Sequence, residues 1–110
     1  MYKTPAVTID VVLLTLHEGA LKVALHKRSQ PPFANELALP GGYVHVDEDA
    51  SVLDTAFRVL REKTGLQPRY LEQLCVFSGP DRDPRGWSVS VSQVALIPYE
   101  TLSQAGGGGV

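Results

Sequence analysis

The sequence predicts one α/β domain, and three features of the residue pattern point to that class. Residues 7–16 are β-branched and apolar with a period of two, as in a β-strand. Residues 50–64 carry apolar side chains at helical spacing. Two further strand-like segments follow at residues 71–77 and 87–97. A chain of 110 residues has room for one hydrophobic core, so residues 1–103 are assigned to a single domain.

Composition and charge exclude several classes of protein. Hydrophobic residues make up 44% of the chain and charged residues 20%, which is a globular balance. The net charge of −2 argues against direct contact between this domain and nucleic acid. The single cysteine, Cys75, cannot form an internal disulfide and is expected to be buried. The longest apolar run, residues 11–14, is far shorter than the roughly 20 residues of a membrane span, so we expect a cytoplasmic protein without a membrane contact.

The first strand is predicted to lie in the centre of the sheet. One of its faces carries Val7, Ile9, Val11 and Leu13, whereas the other begins with Thr8 and Asp10 and becomes apolar only afterwards. Residues 17–20 read as a hairpin turn with Gly19 at positive φ. A second strand is expected at residues 21–26, ending before the prolines at positions 31 and 32.

The helix at residues 50–64 is the only convincing one in the sequence. Its expected buried stripe consists of Leu53, Ala56, Phe57 and Leu60. Asp49 is the expected N-cap, and Gly65 is expected to end the helix in the left-handed conformation.

One helix cannot cover both faces of such a sheet. We therefore expect that a second subunit covers the bare face, which predicts a homodimer, or that the natural protein continues beyond residue 110. Residues 104–110 contain four consecutive glycines and are expected to be a flexible tail or a truncated linker.

A glycine turn just before the helix is the most informative local feature. Gly41 and Gly42 let backbone N–H groups approach a ligand closely, and a helix N-terminus adds positive potential that suits phosphate. Carboxylates on one helix face could hold hard divalent cations that bridge pyrophosphate oxygens.

The turn and the helix together resemble the Nudix box, G-x5-E-x7-R-E-U-x-E-E-x-G-U, where U is aliphatic. Gly42 and Glu48 match its first part, and its last part is matched by Arg58, Leu60, Glu62, Gly65 and Leu66. The resemblance covers residues 4–98. It implies a Nudix-type α/β/α sandwich with a mixed sheet, in which the C-terminal helix can be missing from this chain.

The sequence departs from the Nudix pattern at the metal-binding positions. Nine residues, rather than seven, separate Glu48 from Arg58. The three glutamates of the Nudix helix correspond here to Val59, Glu62 and Lys63. The resemblance implies Mg²⁺ or Mn²⁺ as cofactor, but Val59 cannot coordinate a cation and Lys63 would repel one, so binding is expected to be weak or absent.

By resemblance, the main hypothesis is a Nudix-type hydrolase that binds, and can cleave, a nucleoside diphosphate linked to another group, as in ADP-ribose. Glu62 would be the metal ligand, assisted by Glu48 and positioned by Arg58. The residues expected to bind the nucleotide are Arg28, Gly41, Gly42, Arg82 and Arg85. Tyr43 and Trp87 are candidates for stacking on the base.

Two alternatives remain open. The extended box and the acidic run at residues 47–49 are similar to the Nudix-like domains of NrtR-type regulators of bacterial NAD metabolism. In those proteins a DNA-binding domain follows the Nudix domain. By this resemblance, the present domain would act as a ligand sensor with depleted catalytic acids. A third hypothesis is a structural domain, in which the glycine turn and the Arg58–Glu62 pair only support the fold.

Overall fold

The computed structural model describes residues 4–104. Within that range it contains seven strands and two helices: β1 (Ala6–His17), β2 (Ala20–Val23), β3 (His26–Lys27), β4 (Leu37–Ala38), β5 (Gly41–Tyr43), α1 (Val52–Thr64), β6 (Glu72–Gly79), β7 (Ser88–Leu96) and α2 (Tyr99–Gln104). The expectation of an α/β fold is confirmed. The six-residue helix α2 was not expected from the sequence. Residues 105–110, which include the four consecutive glycines, lie outside the described residues.

The long strand β1 organises the main sheet. It pairs in parallel with β7 and antiparallel with β2 and β5, and β6 extends the sheet beyond β7. The sheet is therefore mixed. Strands β3 and β4 form a separate antiparallel pair. The β1–β2 turn has Glu18 at φ +52° and Gly19 at φ +78°, as the hairpin pattern predicted.

The core lies on one face of the sheet. Ile9, Val11 and Leu13 of β1 are completely buried and pack with Ala56 and Leu60 of α1. The cluster also includes side chains from β7 and from Leu102 of α2. The hydrophobic effect thus fixes which face of β1 receives the helices.

The opposite face carries exposed apolar side chains. Leu16 of β1 is 63% exposed and Leu96 of β7 is 66% exposed. On the edge strand β6, Leu74, Val76 and Phe77 are each about half exposed. The prediction that Cys75 is buried was wrong, because it lies on this edge strand, which pairs with a neighbour on one side only.

Two predictions about the helix were also wrong. Ser51, not Asp49, is the N-cap: its backbone is extended and its hydroxyl accepts a hydrogen bond from the Asp54 N–H at 3.1 Å. Leu53, which was expected in the buried stripe, is 40% exposed. Arg58 of the same helix is buried, because its guanidinium has partners outside α1. Gly65 ends α1 at φ +74°, as predicted.

The second strand was predicted too long. The structure has β2 ending at Val23 and a separate strand β3 beginning at His26. This break turns the chain away from β1 and towards β4, which brings the segment after β3 close to the glycine turn.

Candidate functional site

A cavity of about 790 Å³ opens beside Gly41 and Gly42, which lie in strand β5 and not in the turn that the sequence predicted. The start of β1, the β3–β4 pair, β5, the end of α1 and the loop before β7 all contribute to its wall. All five residues predicted to bind the nucleotide line it: Arg28, Gly41, Gly42, Arg82 and Arg85. The fold therefore brings together positions that are up to 57 residues apart in the chain (85 − 28).

The two glycines permit close packing on both sides of β5. A Cβ atom on Gly42 would lie only 2.9 Å from Cγ2 of Val59 in α1. A Cβ atom on Gly41 would overlap the carboxylate of Asp10 and lie 3.0 Å from the Ile9 carbonyl oxygen. Glycine is thus needed here for close approach, which keeps β5 against both β1 and the helix.

Three basic side chains at the cavity are held by neutral oxygens. Arg28 donates from Nε to the Pro32 carbonyl at 2.7 Å, and Arg82 donates from Nη1 to the Ser88 hydroxyl at 2.6 Å. Lys63 donates from Nζ to the Gly41 carbonyl. Within residues 4–104, no carboxylate lies within 4.0 Å of these three cations. None of the three forms a salt bridge, although the carboxylates of Asp10, Glu36 and Asp83 line the same cavity and the charge of Arg82 helps to lower the pKa of Asp83.

The fourth basic residue, Arg85, is already paired. Its Nη2 lies 2.7 Å from Oδ2 of Asp83, and its Nε donates to Oδ1 of the same carboxylate at 3.0 Å. These bonds lower the pKa of Asp83 to about 2. The Arg85 guanidinium also lies 6.0 Å from the ring centroid of Tyr43.

Asp10 is the cavity residue that sequence reasoning missed as a candidate site. It accepts a hydrogen bond from the buried Ser90 hydroxyl at 2.5 Å, and Ser90 is 3.0 Å from the Ser92 hydroxyl. A carboxylate with remaining acceptor capacity can bind hydroxyl groups of a ligand. The sequence feature that could have identified Asp10 as a site residue is its charge within a largely apolar strand.

Arg58 is the centre of a buried polar network behind the glycine turn. Its Nε and Nη2 each lie 3.0 Å from an oxygen of Asp49, and Nη1 lies 2.9 Å from Oε1 of Glu62. Nη2 also donates to the Tyr43 carbonyl at 2.8 Å. The guanidinium holds the pKa of Asp49 well below its usual range, and the two carboxylates raise the pKa of Arg58.

The predicted catalytic residues lie outside the cavity wall. Glu62 is 49% exposed at its side chain and is bonded to Arg58, while Glu48 is 62% exposed and reaches Arg58 only at 3.8 Å. Arg58 touches the cavity indirectly, through the carbonyl of Tyr43. Sequence reasoning favoured Glu48 over Asp49, but the geometry gives Asp49 the shorter and more numerous bonds to Arg58.

The residues present do not fit a divalent metal ion. Val59 is 2% exposed and packs against Gly42, and the Lys63 ammonium occupies the neighbouring position. Within residues 4–104, no three side chains of the His, Cys, Asp or Glu type are grouped so that they could hold a metal. Glu62 alone is not a metal site, since Mg²⁺ takes several oxygen ligands.

Of the two aromatic candidates for base stacking, one lies at the cavity. Tyr43 lines it and is 47% exposed, and Phe33, which was not considered, lines it as well. Trp87 is not among the lining residues. Aromatic faces at the rim of a cationic cavity suit a nucleotide base.

The family model for the NUDIX domain matches residues 4–105. The chain belongs to the Nudix family. A transcriptional repressor from Acinetobacter baylyi, described as ADPR-responsive NtrR, is 40% identical to this Nudix chain over 103 residues, which is 94% of this chain and 41% of the repressor. The ADP-ribose pyrophosphatase of Methanocaldococcus jannaschii is 41% identical over 91 residues, covering 83% of this chain and 50% of the enzyme.

A solved structure shows the same Nudix fold. The NUDIX domain of Shewanella oneidensis NrtR, crystallised with ADP ribose, superposes with a TM-score of 0.84 and 45% identity over 89% of this chain and 64% of that one. The chain spans about half or less of the length of the curated relatives it matches. Among the described residues, no helix is long and apolar enough to cross a membrane.

Proposed function

We propose that this Nudix domain binds a nucleoside diphosphate of the ADP-ribose type in the cavity beside Gly41 and Gly42, and that it acts as a ligand sensor. The observation that carries this proposal is the convergence of Arg28, Lys63 and Arg82 on one cavity, each without a carboxylate of residues 4–104 within 4.0 Å. Together with Arg85 these cations outnumber the three carboxylates of the same wall, those of Asp10, Glu36 and Asp83, which favours an anionic ligand.

The chemistry of the wall matches the parts of such a ligand. Arginine forks at positions 28 and 82 can bind phosphate oxygens, since guanidinium geometry suits bidentate contact. Asp10 can accept hydrogen bonds from sugar hydroxyls, and Tyr43 or Phe33 offers an aromatic face to a base. A cavity of about 790 Å³ is within the size range of small-molecule sites.

Two of the relatives support this choice of ligand. The Shewanella NrtR domain was solved with ADP ribose, and the Acinetobacter repressor is described as ADPR-responsive. By this analogy the whole protein would be a transcriptional regulator of NAD metabolism, with this domain reading the ligand rather than touching DNA.

Sensing is favoured over cleavage because the acids of the Nudix helix are depleted. Val59 is buried against Gly42, and Glu62 is the only acid left at the three glutamate positions of the helix. We assign no catalytic step to Glu62, Glu48 or Arg58. The hydrolase hypothesis is kept as the second candidate because the archaeal relative, 41% identical, is an ADP-ribose pyrophosphatase.

Calorimetric titration with ADP-ribose tests the proposal. We expect saturable binding by the wild-type domain and binding about 10- to 150-fold weaker for Arg82→Gln, because a charge-assisted hydrogen bond contributes about 1.5–3 kcal/mol. Arg61→Gln is the matched control, since Arg61 is exposed on α1 and does not line the cavity. Equal affinities for the Arg82→Gln and wild-type proteins would contradict the proposed site.

A hydrolysis assay separates the two candidate functions. ADP-ribose incubated with the wild-type domain and Mg²⁺ or Mn²⁺ should yield no AMP above background. Rapid release of AMP that is lost in Glu62→Gln would establish the hydrolase instead. A homodimer and a cytoplasmic location stay predictions, which light scattering and cell fractionation can test.

A further inference from the structure

Lys63 lies at a position that the sensor function alone does not explain. It belongs to the last turn of α1, yet its ammonium reaches the carbonyl of Gly41 at the cavity wall. An ammonium has three donors, so this one contact leaves two for a ligand. No carboxylate within residues 4–104 pairs with it.

The charge at this position is the reverse of that in the Nudix pattern. An acid in the pattern is replaced by a lysine, which changes the local charge by two units in the positive direction. A carboxylate there would gather a divalent cation, and the cation would in turn neutralise a bound diphosphate. The lysine delivers positive charge to the same place without a metal.

The other two glutamate positions of the Nudix helix, Val59 and Glu62, are also poorly suited to binding a divalent cation. Val59 is fully packed and has no polar atom in its side chain. Glu62 directs Oε1 to Arg58 at 2.9 Å, so part of its acceptor capacity is already used. A divalent cation placed here would face the Lys63 ammonium with at most one carboxylate to offset the repulsion.

We propose that the Lys63 ammonium takes the place of the divalent cation and neutralises the ligand's diphosphate directly, so that binding needs no metal. This inference rests on the proposed function, because it concerns the same cavity. Lys63 is thus a ligand-contacting residue that distinguishes this site from one built around Mg²⁺.

The experiment titrates ADP-ribose into the full chain by calorimetry, once with EDTA and once with millimolar MgCl₂. The variants are Lys63→Met, Lys63→Arg and Lys63→Glu. Lys22→Met is the matched control, since Lys22 lies on β2 and does not line the cavity. Thermal unfolding of every variant shows whether it is folded, so that loss of binding is not confused with loss of structure.

We expect wild type and Lys22→Met to bind equally well, within about twofold, in EDTA and in MgCl₂. Lys63→Met should bind about tenfold more weakly in both, because one charge-assisted contact is lost. Lys63→Arg should retain most of the affinity, since it keeps the charge. Lys63→Glu should bind worst in EDTA and regain affinity when Mg²⁺ is added.

Three results would overturn the inference while leaving the proposed function standing. The first is wild-type binding that requires Mg²⁺, and the second is a Lys63→Met variant that binds as tightly as wild type in EDTA. The third is a Lys63→Arg variant that binds as weakly as Lys63→Met, because the charge of Lys63 would then not be what binds the ligand. Absence of binding by wild type both with and without metal would instead refute the proposed function itself.

Discussion

The buried guanidinium of Arg58 gives the most quantitative prediction about the fold of the site. Arg58→Met keeps an unbranched apolar stem of similar length but removes every donor. The Asp49 carboxylate, 3% exposed at its side chain, would then lose its ionic partner, and the Tyr43 carbonyl would lose its donor at 2.8 Å. The cost arises from leaving these groups buried without their partner.

The expected loss for Arg58→Met is about 1–3 kcal/mol in the free energy of unfolding, the usual cost of leaving a hydrogen-bonded acceptor such as the Tyr43 carbonyl without its donor. The bond to the half-exposed Glu62 adds little, about 0.3–0.5 kcal/mol. Because a domain of this kind has a total stability of about 5–15 kcal/mol, this loss should be readily measurable.

Urea unfolding followed by circular dichroism measures this loss, with Arg61→Met as the control on the exposed side of the same helix. Arg58→Met combined with Asp49→Leu should regain little of the stability, because Asp49 also accepts hydrogen bonds from the His45 N–H at 2.8 Å and from the Thr55 hydroxyl at 2.9 Å. A loss below about 1 kcal/mol for Arg58→Met would refute the network as a stabilising element.

Three further predictions concern neighbouring residues. Arg58 lowers the folded-state pKa of Asp49, so this carboxylate stabilises the fold fully above its unfolded pKa of about 3.9. Wild type and Asp49→Asn should therefore differ less in their free energy of unfolding as the pH falls below that value. Urea unfolding at several pH values measures this difference. Asp83→Asn frees Arg85 and should tighten ADP-ribose binding about threefold by calorimetry, whereas weaker binding would show that the Asp83 pair positions Arg85 for the ligand. Gly42→Ala should cost about 1–3 kcal/mol by overpacking against Val59, and Val59→Ala should relieve part of that loss; an unchanged melting temperature for Gly42→Ala would contradict the close approach.

The parts of the fold that repeat with a simple period could be predicted from the sequence. Alternation in residues 7–16 gave the central strand, and Gly19 and Gly65 marked a turn and a helix end by their need for positive φ. The helix start was misplaced by two residues because Asp49 and Ser51 are both good N-caps. Only the tertiary contact between Asp49 and Arg58 decides between them.

Part of the candidate site could be predicted from the resemblance to the Nudix family. It pointed to Gly41, Gly42 and the arginines at positions 28, 82 and 85, which line one cavity. Asp10 and the pairing of Asp49 were missed, because both depend on which segments meet in three dimensions. Lys63 was recognised as the loss of a metal ligand, but its reach to Gly41 is visible only in the structure.

Nuclear magnetic resonance mapping can show residue by residue whether ADP-ribose binds in this cavity. In a ¹H–¹⁵N correlation titration, we expect the largest shifts at the backbone amides of Gly41 and Gly42 and at the side-chain Nε groups of Arg28 and Arg82. Shifts confined to the exposed strand β6, or no shifts at saturating ligand, would contradict this expectation.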